Sequence, residues 1–142
     1  MNGDIVLSLK SYQDIMGDGA FIDTVSDGKY YKKGSRHIVV YYDAADDRKL
    51  LSGMIKMTEG QVDIVRKGSE NVRMSFVQGS STSAVYHTDA GDLRINIFTD
   101  SVSLSESDDE IRAEVVYSLS MNEVFISNSR VMIGIRSRME TL

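Results

Sequence analysis

The chain has 142 residues, 42% of them hydrophobic and 26% charged, with no Cys, Pro or Trp and a formal net charge of −5. Those figures describe one soluble domain, residues 1–142, whose single core can take up roughly two thirds of the unfolded surface. The zeros exclude disulfide frameworks, thiolate metal sites, cysteine nucleophiles and proline-rich recognition segments, and the acidic balance argues against a protein that must neutralise a phosphate backbone.

Val, Ile, Thr, Tyr and Phe supply 43 residues against 14 from Ala and Leu, a ratio that favours pleated sheet over helix. At the start, Met1-Asn2-Gly3-Asp4 carries acid where an export signal carries positive charge, so a cytoplasmic location is expected. No run approaches the roughly 18 continuous apolar residues of a membrane helix, and no membrane partner is expected. The strand pattern is weakest over residues 10–20 and 44–53, where Asp46-Asp47-Arg48-Lys49-Leu50-Leu51 is compatible with a helical turn. Further on, Ile38 to Tyr42 reads as a strand, and apolar residues fall at every second position through Val72, Met74 and Phe76. The same alternation runs through Leu93, Ile95 and Ile97, then Ile111 to Leu119, then Val131, Ile133 and Ile135. One wet face per segment marks antiparallel sheet.

Turns are signalled at Gly17-Asp18-Gly19, Asp27-Gly28, Gly34-Ser35, Glu59-Gly60, Gly68-Ser69, Gly79-Ser80, Asp89-Ala90-Gly91, Ser107-Asp108-Asp109 and Met121-Asn122-Glu123. Short strands at this spacing mark an up-and-down barrel or a sandwich, and because closure removes unpaired edges the expected all-β fold is a single antiparallel up-and-down closed β-barrel of about 8–10 strands.

The chemistry available is sparse. Two histidines without cysteine make a poor zinc set, and both His37 and His87 read as solvated strand-end residues. The acidic clusters Asp43/Asp46/Asp47 and Asp108/Asp109/Glu110 lack the alternating ligands of a calcium loop and read as wet turns, so neither metal nor cofactor is expected. Glu114 is placed on the wet face of its strand, which leaves catalysis by carboxylates at the barrel mouth as a minor reading with no catalytic residue assigned. Lys29, Lys32, Lys33 and Arg36 beside Tyr30 and Tyr31 form a small basic patch that reads as a solvated hairpin rather than a nucleic-acid surface.

The interior of a barrel decides what it can bind. If Val62 and Ile64 face in, so does Arg66, and the same count places Tyr86, Tyr117 and one of Tyr41 and Tyr42 inside. A guanidinium among phenol hydroxyls would clamp a carboxylate; the bland alternative leaves Arg66 at a rim with the tyrosines filling the core.

Several segments carry a resemblance: Val40-Tyr41-Tyr42-Asp43, Ile55-Lys56, Val65-Arg66-Lys67-Gly68, Met74-Ser75-Phe76-Val77-Gln78-Gly79, Tyr86-His87-Thr88-Asp89-Ala90-Gly91-Asp92-Leu93 and Tyr117-Ser118-Leu119. From about residue 4 to residue 136 the chain resembles the bacterial YwiB-like family, a domain of unknown function grouped with the calycins, lipocalins and fatty-acid-binding proteins. The family pattern has an acidic pair where this chain has Asp43-Ala44. The resemblance implies a closed β-barrel and supplies no catalytic residues. The leading expectation is a barrel that binds a small amphipathic or anionic molecule inside. The alternative is a packed barrel acting as a protein-interaction or homo-oligomer module through Val65, Val77 and Phe98.

Overall fold

The computed structural model describes residues 3–15, 18–42, 51–67 and 72–138. Ten strands follow one another: β1 (Gly3–Ile15), β2 (Asp18–Lys33), β3 (Arg36–Tyr42), β4 (Leu51–Thr58), β5 (Gln61–Arg66), β6 (Val72–Val77), β7 (Ser81–Thr88), β8 (Gly91–Glu106), β9 (Glu110–Met121) and β10 (Val124–Ser137). The first and last strands pair with each other over Ile5↔Ser137 to Asp14↔Asn128, giving the spatial order β6-β5-β4-β3-β2-β1-β10-β9-β8-β7. Every pairing is antiparallel, and the sheet curls until β6 and β7 approach, so the barrel is nearly closed.

Alternation builds the core. Register partners share a face, so Ile5 and Leu7, Val39, Ile55 and Met57, Val62, Phe76, Ile97, and Val115 with Ile133 line one continuous interior, all of them buried. The walls are unequal. Strands β1, β2, β8, β9 and β10 run 12–16 residues, whereas β3 to β7 run 6–8. Antiparallel order places the β1–β2, β3–β4, β5–β6, β7–β8 and β9–β10 connections at one end, where the tall wall rises above the short one. That end is open. The other end carries the remaining turns, with residues 4 and 138 bonded there, Arg138 N–H to the Asp4 carbonyl at 2.9 Å.

The structure corrects the expected cadence in two places. Residues 10–15 and 18–20 belong to long strands, and residues 43–50, which carry most of the suspected helical turn, lie outside the described residues. Asp27-Gly28 is no turn: it sits mid-strand in β2, and Gly28 is there because a Cβ would press on the β3 backbone and on Ile5 Cδ1 at 3.3 Å. Gly79 and Gly91 do adopt positive φ, 75° and 120°, as turn positions require, and Gly68 lies outside the described residues.

Candidate functional site

One cross-strand row near the open end brings together Gly28, Tyr41, Gly53, Arg66 and Val72, from β2 to β6. Tyr41 is buried, and its ring lies over Gly53, where any Cβ would collide with the ring and with the Val65 carbonyl at 2.6 Å. Lying flat across β4, the phenol reaches β5, and the Arg66 guanidinium donates a hydrogen bond to its hydroxyl. Burial pushes the Tyr41 phenol up from its ordinary value while Arg66 pulls it back, so the hydroxyl is neutral at physiological pH. Arg66 itself is exposed. It therefore stands at the rim, bonded to one phenol, with donors left over for a ligand.

Tyr117 lies deeper, reaching from β9 to pack on Phe76 of β6 with centroids 4.7 Å apart and planes at 56°. This tilted contact crosses the interior and contributes about 0.5–1.5 kcal/mol beyond burial. In the same cross-strand row stand Thr99 and Ser129. Ser127 and Ser129 share a hydrogen bond of 3.1 Å, while the Thr99 hydroxyl is fully buried with no partner among the described residues. Tyr42 takes the outer face opposite Asp27 and is half-buried, so of the two candidates it is Tyr41 that faces in. Tyr86 pairs with Leu93 by backbone register, and its side chain, like that of His87, lies outside the described residues.

Above these rows the interior opens. Inner-face side chains on the tall wall pass from buried Val131, Ile97 and Leu7 to Ile22, Val124 and Leu93 at 62%, 65% and 44% exposure. The mouth is thus apolar on one side and carries a guanidinium on the other.

The closed end overturns the reading of His37. It is 4% exposed rather than solvated. The two-residue turn at Gly34-Ser35 pairs Lys32 with His37, which puts His37 on the inner face alongside Tyr30. The Tyr30 hydroxyl lies 2.6 Å from His37 Nδ1, and with that hydroxyl donating, the Nε2 proton faces Glu106 Oε2 at 3.7 Å. Glu106 from β8 also meets Lys32 at 3.6 Å, so the bottom of the barrel is spanned by a Tyr–His–Glu–Lys chain. Burial lowers the His37 pKa, against the pull of Glu106 and with the push of Lys32, and burial next to Glu106 raises that of Tyr30. Counting alternation back from the turn would have found this cluster; the surrounding lysines hid it.

Other charged groups behave as surface. Tyr31 is exposed but Tyr30 is not, so the basic hairpin offers one aromatic where two were counted. Glu110 is bonded by Arg136 at 2.7 Å and by Arg112, which together hold its carboxyl below the usual range, and Glu114 on the outer face lies 3.6 Å from Arg130. Asp108 and Asp109 are exposed in their turn, while Asp43, Ala44, Asp46 and Asp47 lie outside the described residues. Among the described residues no group of three His, Cys, Asp or Glu is placed to hold a metal ion. No helix among them is long and apolar enough to cross a membrane.

A ten-stranded antiparallel barrel with one apolar, Arg-rimmed mouth defines the class of protein. A family model described as a domain of unknown function, DUF1934, matches residues 7–133, and the chain belongs to that family. It is 28% identical over 119 residues to the uncharacterized beta-barrel protein YwiB of Bacillus subtilis (strain 168), covering 84% of this chain and 83% of YwiB. Its fold superposes on the crystal structure of the ywiB protein from Bacillus subtilis with a TM-score of 0.82 and 24% identity, over 97% of this chain and 94% of that one.

Proposed function

We propose that the barrel binds a small amphipathic anion at its open end, with Arg66 taking the anionic group and the apolar inner face of the tall wall taking the tail. The observation that carries this is the Tyr41–Arg66 bond laid across Gly53: a buried phenol and a bare backbone position together orient one guanidinium at the mouth of an apolar enclosure. Ile22, Val124 and Leu93 supply the apolar side, and the unpartnered Thr99 hydroxyl offers a donor further in. The calycin kinship suggested by the family resemblance favours the same reading by analogy of fold.

A dansyl-labelled undecanoate tests it. The wild type is expected to enhance and blue-shift the probe's emission, and Arg66→Ala to weaken binding by about tenfold or more, the loss of one charge-assisted contact. Unchanged affinity in Arg66→Ala would sink the proposal. Native mass spectrometry of freshly purified protein adds an independent reading, with a co-purifying adduct expected.

A second reading, a homo-oligomer module, has its own observation. The outer face carries Phe21 opposite Tyr12 in register, with Val25, Phe98 and Phe125, all exposed. Of the three surface contacts expected earlier, Phe98 is exposed, whereas Val65 and Val77 are half-buried. Under this reading Phe21→Asp shifts a sedimenting dimer to monomer, and a wild type that is monomeric at high concentration removes it.

A further inference from the structure

Strands β6 and β7 are the one pair of barrel neighbours that share no hydrogen-bond ladder among the described residues. The gap between them is shut at the closed end and open toward the mouth. At the shut end the Ser80 N–H donates to the Val77 carbonyl at 3.0 Å and the Thr82 hydroxyl to the Ser75 carbonyl at 2.5 Å, while the Gly79 N–H reaches the Thr99 carbonyl at 2.8 Å. Alternate residues of an antiparallel strand present N–H and C=O to the same edge. Val77 and Ser75 both bond toward β7, so Arg73 directs its backbone groups into the gap too, and neither has a backbone partner among the described residues. An unpaired strand edge is a template for another chain.

The gap widens here into a cleft of about 720 Å³ lined by Val65, Arg66, Lys67, Arg73, Ser83 and Val85, among others. Among the described residues no carboxylate lines it, and none of the three cations described there forms an ion pair with another described residue. On a chain of net charge −5 this is a concentrated positive field around exposed backbone donors and acceptors. Small anions would leave the strand edge unused, and nucleic acid would find no aromatic among the described lining residues to stack on. An extended peptide uses both features.

We propose that the gap between β6 and β7 takes an extended segment of an acidic polypeptide, which adds as a strand along the β6 edge at Arg73 and sets its carboxylates on Arg66, Lys67 and Arg73. Arg66 is shared with the mouth site; Lys67, Arg73 and the strand edge belong to this site alone.

The test is fluorescence anisotropy of a labelled peptide of alternating Glu and Val on the full chain. Saturable binding is expected, about tenfold or more weaker in the Lys67→Glu/Arg73→Glu double variant, and weaker by a similar factor for a peptide N-methylated at alternate backbone amides. Ile22→Asp, on the apolar side of the mouth and away from the cleft, should leave peptide affinity within about twofold while weakening the dansyl probe. Absence of saturable binding overturns the proposal, as does equal binding of the N-methylated peptide, which would make the cleft a plain anion trap, or tighter binding of an oligothymidylate. The two sites fail separately: loss of the peptide arm leaves the dansyl result standing, and the reverse.

Discussion

His37 makes stability depend on pH in a direction set by its burial. Its folded pKa lies below the ordinary 6.5, with Glu106 of β8 opposing the shift and Lys32 of β2 adding to it. Below about pH 6.5 the unfolded chain therefore binds a proton that the folded one refuses. This contribution is present in full above 6.5 and is lost as pH falls through the lower folded value. Urea midpoints measured from about pH 8 downward are expected to hold steady and then drop, and His37→Gln to flatten that drop. Glu110, whose pKa is also depressed, begins to lose its contribution only as pH falls below its ordinary 4.5. Gly53→Ala is expected to cost about 1–3 kcal/mol in urea unfolding, because its Cβ meets the Val65 backbone as well as the Tyr41 ring, and to weaken the dansyl probe. At this scale the sequence was half legible. Alternation brought Arg66 to a phenol, but the run Ile38 to Tyr42 is apolar on both faces and could not separate Tyr41 from Tyr42. Nothing in residue order shows that Gly53 clears a path for the ring of its partner on the neighbouring strand, a dozen residues away in sequence.

Element types were readable because β-branched residues alternate through most of the chain, and element lengths were not. Asp27-Gly28 has the composition of a turn, yet paired strands on both sides carry β2 straight through it. The resulting tall wall is what opens the mouth, so the shape of the site rests on a feature that local composition misreports. The β9–β10 connection shows the opposite economy. Asn122 and Glu123 hold φ of 51° and 64°, the two left-handed positions of a hairpin turn. Asn tolerates this and Glu does not, so Glu123→Gly is expected to raise stability by about 1 kcal/mol, read from the urea midpoint at unchanged slope.

For the molecule as a whole, the pairing of first strand with last means that the ladder at its centre joins the most distant parts of the chain. Such topologies fold over milliseconds to seconds. With no proline anywhere in the sequence, refolding should lack the phase of tens of seconds that peptide-bond isomerisation imposes; a double-jump stopped-flow experiment in which the delay time changes no amplitude would bear this out.

The ladder is continuous where the chain has its ends and interrupted where the chain is intact, between β6 and β7. A rearranged gene that tethers residue 138 to residue 4 and begins instead at Ser80 would encode a simple serpentine, each strand beside the next from one edge to the other. Its new ends would flank the cleft, leaving Arg73 on a free lip, and the opening could then be widened or sewn shut at will.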